Sequence, residues 1–310
     1  MKKFVLGENG PEISCITLGT DYYGKTVPEE LCFRLLDLYT ELGGNTVDTA
    51  HVYSDYLPGE KHSSEKVIGK WLRTRNSRKG LVISTKGGFP ELDDYHKSRI
   101  TEKNIREDLW GSLECLGVDS VDIYWLHRDD ESVPIGELVE LLNEFRTAGL
   151  IGCYGFSNFS PRRVAAARGY ARMHGLQGPE AVQIKWGYAL TNPENIYDDT
   201  IREMDGEYMS LLKEHNMPLF AYCSQAKGFF SKLRKKEDGS FEMEPGKCRD
   251  RYYWQGNLDL YTSLEREAGL LGIRVAELAM RKMLESDFPV TLIVGSHTEE
   301  QLRLSMRAGE

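Results

Sequence analysis

Eight short β-rich runs separated by helix-length amphipathic segments, with no glycine-rich phosphate turn after any of them, predict a closed parallel β/α barrel for this 310-residue chain. Several runs are almost continuously apolar, as strands covered on both faces require. An open doubly wound sheet would show fewer strands and a G-x-G-x-x-G after the first. The expected architecture is therefore α/β, an eight-stranded TIM-type barrel forming one domain over residues 1–310.

The runs are ITLGT (16–20), NTVD (45–48), LVIST (81–85), VDIYWL (121–126), IGCYGF (151–156), AVQI (181–184), PLFAY (218–222) and VTLIV (290–294). Ahead of them, FVLGENGPEIS reads as a β-hairpin with ENG at its turn, placed to plug the bottom of the barrel. The first helix has Thr26 and Glu29 at capping-box spacing, an apolar face of Leu31, Leu35, Leu38 and Leu42, and a stop at Gly43 and Gly44. Between the seventh and eighth strands the chain is longer, and its charged stretch 232–250 is expected to form a mobile surface excursion.

Composition narrows the function. A net charge of −9 argues against nucleic acid or an anionic membrane as the main partner. No run approaches the roughly 18 apolar residues of a membrane span, and MKKFVLGENGPE lacks the features of a signal peptide, so a cytoplasmic protein is expected. Cys15, Cys32, Cys115, Cys153, Cys223 and Cys248 are scattered without C-x-x-C spacing and read as reduced packing thiols. No metal site and no particular oligomer is read from the sequence.

Residues that packing alone would not select stand just past the strands: Thr20 and Asp21, Asp48 then Tyr53, Lys86, His127, Ser157 and Asn158, Ser224 and Gln225, Gly295 and Ser296. A barrel gathers those ends on one face. Singly, Asp48 reads as a turn former, Tyr53 as a cover, Lys86 as a solvated turn lysine and His127 as a structural histidine. The H-R-D at 127–129 is not a kinase loop, because Pro134 stands where the metal-binding Asn belongs and no D-F-G follows.

Together the four make sense. A phenol with a free pKa of about 10 is a poor acid unless its phenolate is stabilised. Lys86 can supply that stabilisation, and Asp48 can keep the lysine charged. A neutral His127 can hold a carbonyl oxygen near Tyr53. Hydride must then come from a cofactor. Ser157, Asn158 and Gln183 can pair with a carboxamide, and Tyr222 offers an aromatic face. Thr298 and Gln301 have capping-box spacing, which would turn backbone N–H groups near Gly295 to Thr298 toward an anion.

On these residues the chain resembles the aldo-keto reductase superfamily from about Gly19 to Leu302. The motif D-T-A-x-x-Y is Asp48 to Tyr53, the S-E pair is Ser64 and Glu65, and the strand-three lysine and strand-four histidine are Lys86 and His127. The later S-N pair, glutamine and aromatic are Ser157 and Asn158, Gln183, and Tyr222. The resemblance implies NAD(P)H-dependent carbonyl reduction or its reverse, with Tyr53 the acid, Asp48 and Lys86 tuning it and His127 orienting the substrate. It also implies a cofactor path over Gly19, Thr20, Asp21, Tyr222, Cys223, Ser224, Gln225, Lys227, Gly228, Gly295, Ser296, His297 and Gln301. Relatives often read Y-S-P-L after the seventh strand, where this chain has Tyr222 to Gln225, and they place an Arg or Lys where it has His297. NADP(H) is expected to be preferred with NAD(H) possible, His297 gaining charge toward about pH 6. The end at Glu310 implies an open pocket without a long C-terminal loop, and Tyr22, Tyr56, Phe89, Trp186 and Trp254 are expected at its rim. Two other functions compete: a cofactor-binding regulatory subunit like the potassium-channel β subunits, and a metal hydrolase using Asp48, His51 and His127.

Overall fold

The computed structural model describes residues 1–7 and 10–310. Strands β1 (Lys3–Val5) and β2 (Glu12–Ser14) pair antiparallel as the expected hairpin. Of its ENG turn, Glu8 and Asn9 lie outside the described residues. Leu6 and Ile13 are buried among Val82, Ile123, Cys153 and Ala181, which stand near the amino ends of their strands, so the hairpin does close the bottom of the barrel.

The eight predicted runs become β3 (Ile16–Gly19), β4 (Thr46–Asp48), β5 (Val82–Gly87), β6 (Val121–Leu126), β7 (Ile151–Ser157), β8 (Ala181–Lys185), β9 (Leu219–Tyr222) and, much later, the last strand at Val290–Gly295. All neighbours are parallel, and the last strand closes on β3 with Gly295 opposite Gly19. Helices α1 (Glu29–Glu41), α2 (Ser63–Arg75), α3 (Glu102–Leu116), α4 (Ile135–Thr147), α5 (Pro161–His174) and α6 (Gly206–His215) alternate with the strands. Their apolar faces, such as Leu35, Ile68, Leu109, Leu142 and Val164, are buried against the strands in one continuous core.

Local signals set most helix ends. Thr101, Ser160 and Asp205 accept hydrogen bonds from backbone N–H groups at the starts of α3, α5 and α6, and Gly117 and Gly175 take the left-handed conformation after α3 and α5. Helix α1 departs from expectation. It begins at Glu29 behind Pro28, and no side chain caps it. Thr26 lies inside a tight turn in which the Val27 N–H donates to the Tyr22 carbonyl, so the Thr26–Glu29 capping box does not form.

The stretch after β9 is also more organised than a simple excursion. It contains α7 (Phe229–Lys232), the ribbon β10 (Arg234–Lys235) with β11 (Phe241–Glu242), α8 (Lys247–Tyr252), α9 (Gln255–Leu271) and α10 (Val275–Leu284). Phe229, Phe230, Leu233, Met243, Tyr252 and Leu264 bury a second apolar cluster there. The chain then enters β12 (Val290–Gly295) and α11 (Glu299–Met306). No helix among the described residues is long and apolar enough to cross a membrane.

Candidate active site

The period of two along β5 builds the centre of the site. Ser84 and Lys86 both reach Asp48 at the end of β4, whereas Thr85 between them bonds Glu65 on the outer helix α2. Lys86 Nζ lies 2.6 Å from Asp48 Oδ2, 2.7 Å from the Thr49 carbonyl oxygen and 2.8 Å from Tyr53 Oη. Three acceptors match the three donors of an ammonium, whereas a neutral amine would have to take the phenol's proton in its own lone pair. Asp48 also accepts from Ser84 Oγ at 2.9 Å and Gln183 Nε2 at 3.0 Å, and both side chains of the ion pair are 0% exposed.

The turn after β4 brings Tyr53 back over this pair. The Thr49 N–H donates to the Ser84 carbonyl and the His51 N–H to that of Lys86, so the start of the turn is an extension of the β4–β5 ladder. Burial pushes the Tyr53 phenol well above its ordinary range, and the Asp48 charge pushes the same way, so the phenol keeps its proton at neutral pH. Burial pulls the Lys86 amine down against the opposing pull of Asp48.

His127 stands at the end of β6, its ring centroid 5.9 Å from that of Tyr53 and 4.7 Å from that of Phe89. Burial, then the charges of Arg128 and Lys86, hold its pKa well below the ordinary value, which makes the ring neutral. A cavity of about 260 Å³ opens between the 51–62 and 87–93 segments with Phe89 in its wall. His51 gives its Nδ1 to Glu65, and among the described residues no group of three His, Cys, Asp or Glu could hold a metal ion.

Most residues expected along a cofactor path stand at or just past the carboxyl ends of strands, and several are committed to protein partners. Asn158 donates to the His127 carbonyl and Ser157 Oγ, and its Oδ1 accepts from the Arg202 N–H and from Tyr222 Oη at 2.6 Å. Thr20 Oγ1 donates to the Asp48 carbonyl, Ser224 Oγ to the Ile293 carbonyl, and Gln225 Nε2 to Ser305 Oγ. Cys223, Lys227 and Gly228 have positive φ, so the chain after β9 bends sharply over the rim. Thr298 caps α11 as expected, but Gln301 Oε1 takes the His297 N–H, one of the groups expected to face an anion. Burial, then the charge of Lys232, lowers the pKa of His297, so its charging moves to lower pH.

Of the seven side-chain polar atoms buried without a partner among the described residues, three stand just past strand ends: Asp21 Oδ1 past β3, His127 Nδ1 past β6 and Ser296 Oγ past β12. Orphaned buried polar atoms are rare and costly, and a polar ligand lying across the mouth would satisfy these. Of the expected rim aromatics, Tyr22 meets both Tyr56, edge to face, and His297. Trp186, directly after β8, packs on Phe288, and Trp254 donates to the Leu190 carbonyl. The network around Glu65 was not read from the sequence, although the Ser64–Glu65 pair at the start of α2 was its visible signal.

The model of the aldo/keto reductase family matches residues 15–310. The chain belongs to the aldo/keto reductase family. Among its relatives is norsolorinic acid reductase stcV of Emericella nidulans, 26% identical over 96% of this chain and 74% of that protein. A probable voltage-gated potassium channel subunit beta of Arabidopsis thaliana is 26% identical over 98% of this chain and 89% of its own length. Among solved structures, the aldo-keto reductase AKR11C1 from Bacillus halodurans, in its holo form, superposes with a TM-score of 0.74 at 24% identity, covering 100% of this chain and 91% of that one. The barrel described above is therefore that of an aldo/keto reductase, an oxidoreductase enzyme.

In this aldo/keto reductase the buried pair yields a stability prediction. Lys86→Met leaves the Asp48 carboxylate buried without its cation and is expected to cost about 3 to 5 kcal/mol in urea unfolding. Adding Asp48→Asn should recover part of that loss. A single variant as stable as the wild type would mean that the pair does not organise the mouth.

Proposed function

We propose that this aldo/keto reductase reduces an aldehyde, ketone or keto-sugar carbonyl to the alcohol, or runs the reverse oxidation, on a small-molecule substrate, with Tyr53 as the acid. The observation that carries this reading is the 2.8 Å contact between Tyr53 Oη and an ammonium that Asp48 holds at 2.6 Å. Bound NADPH or NADH supplies the hydride. Ser157, Asn158 and Gln183 would hold its carboxamide and Tyr222 its ring face, while Gly19, Thr20, Asp21, Cys223 to Gln225, Lys227, Gly228, Gly295, Ser296, His297 and Gln301 would line its path. Asn158 and Gln301 would exchange their present protein partners for it.

The protein's own part is proton handling. Tyr53, kept protonated by burial and by Asp48, gives its proton to the carbonyl oxygen as that oxygen becomes an alkoxide. The phenolate left behind meets the Lys86 ammonium at hydrogen-bond distance, which lowers the cost of the charge where it forms. A neutral His127 donates a hydrogen bond to the same carbonyl oxygen without competing for its proton. Tyr53 then recovers a proton from solvent before the next turnover.

The potassium-channel relative supports a second reading, a regulatory subunit that binds cofactor but turns over little. Turnover of free carbonyl compounds by the isolated chain separates the two. Tyr53→Phe should bind NADPH as the wild type does, read by quenching of tryptophan fluorescence. Its turnover, read by loss of reduced-nicotinamide absorbance, should fall by about a hundredfold or more. Near-normal turnover would remove Tyr53 from the mechanism.

Cofactor choice follows from the group that acts on His297. With that imidazole neutral, the cation for an adenosine 2′-phosphate is Lys232, whose amine is tied to the Lys227 carbonyl at 2.8 Å. A charge-assisted contact of this kind contributes about 1.5 to 3 kcal/mol. NADPH should bind about tenfold more tightly than NADH. Lys232→Ala should abolish the difference and His297→Ala should leave most of it, in titrations at neutral pH. The opposite ranking of the two variants would return the phosphate to His297.

A further inference from the structure

Two ion pairs flank β5, and only the inner one has entered the proposed chemistry. On the outer side, Glu65 of α2 is 0% exposed, accepts from Thr85 Oγ1 at 2.6 Å and contacts His51 Nδ1 at 3.0 Å. Thr85 immediately precedes Lys86, and His51 stands two residues before Tyr53. One buried carboxylate therefore joins the strand that carries the ammonium to the turn that carries the phenol.

His51 is fixed from every side. Its N–H donates to the Lys86 carbonyl at 3.1 Å, and its carbonyl oxygen lies 2.7 Å from His62 Nδ1. The two imidazoles stack at 3.8 Å. His62 adopts a left-handed backbone, φ 57°, and is held there by Asp55, which takes its N–H at 2.6 Å. The far edge of the His51 ring rests on Gly111 of α3, where a Cβ would come within 2.6 Å of Cε1.

We propose that Glu65 and His51 are positioning residues, a clamp that sets the separation of Tyr53 from Lys86. The inference rests on the reading of Tyr53 as the acid. A fully buried carboxylate needs charged or hydrogen-bonding partners, and Thr85 supplies only a neutral one. His51 is faced by Glu65 from α2, by Asp108 from α3, itself bound to Arg99, and by Asp55 and His62 from its own turn. Burial pulls its pKa down, but the Glu65 hydrogen bond and the charges of Glu65, Asp108 and Asp55 more than reverse that, so the net shift is upward. A histidine raised on folding contributes its stabilisation fully below its unfolded pKa, about 6.5, and loses it as pH rises through the folded value. The clamp therefore weakens on the alkaline side.

The test uses Glu65→Gln and His51→Asn in the full chain, with Tyr53→Phe measured alongside. Turnover at neutral pH should fall between about tenfold and a hundredfold, as for a small misplacement of a reacting group. KM and cofactor Kd should hold, and the part of the alkaline fall in kcat that belongs to His51 should disappear. A crystal structure of either variant should show Lys86 Nζ and Tyr53 Oη further apart than 2.8 Å. Wild-type kcat and pH profile in both variants would overturn the clamp, as would an unchanged Nζ–Oη distance or a fall in Tm with kcat per folded molecule intact. If Tyr53→Phe retains turnover, the acid assignment fails by itself, and the variants' Nζ–Oη distance still decides the clamp.

Discussion

The ammonium of Lys86, sealed from water 2.6 Å from the Asp48 carboxylate, is the constraint on which the barrel mouth depends. A buried pair of this kind is poor value as stabilisation, because removing both charges from water costs about as much as their attraction returns. It is tolerable only when every donor and acceptor is used. Lys86 spends its three donors on Asp48, Thr49 and Tyr53, and Asp48 receives Ser84, Gln183 and Lys86. Those partners come from β4, β5, β8 and the turn after β4. The pair therefore demands the strand register observed, with Asp48 opposite Ser84.

The same demand explains the polar thread inside an otherwise apolar barrel. Trp125, fully buried against Phe220, donates its indole N–H to Ser84 Oγ at 2.6 Å, and Ser84 passes a hydrogen bond to Asp48. Core packing and site geometry are thus joined through one hydroxyl. Gln183, whose sequence position suggested a ligand-binding amide, donates to Asp48 and so supports the ion pair.

Much of this was legible in the sequence where continuous chain segments carry the signal. The strands were readable because each is an apolar run bounded by turns, and 121–126 matches residue for residue. The run ending at Thr85 extends to Gly87 because Lys86, polar by composition, is neutralised in place by Asp48. Asp48, Tyr53, Lys86 and His127 stood out as polar groups at strand ends, and the barrel brings them together. What was illegible depends on contacts between distant segments. Thr26 lost its cap to the turn that precedes Pro28. The 229–252 core is assembled from apolar residues with no single period. Lys232 acts on His297 only because the fold brings these distant segments near enough for the charge to be felt. Glu65 acquires its partners from the outward face of β5, which no spacing within α2 reveals.

Catalysis, in this account, is a consequence of keeping one charge where water cannot help it. In the proposed reaction a phenol held above its usual pKa is a reservoir of a proton, and the ammonium beside it would lower the cost of losing that proton when a carbonyl oxygen needs it. The charge state of Lys86 is therefore the most direct thing to measure. Nitrogen NMR of the lysine side chains, with the Lys86 signal assigned by its absence in Lys86→Met, should show a charged ammonium with slowly exchanging protons at neutral pH, and a shift toward the neutral amine in Asp48→Asn. A neutral amine in the wild type at neutral pH would contradict the account.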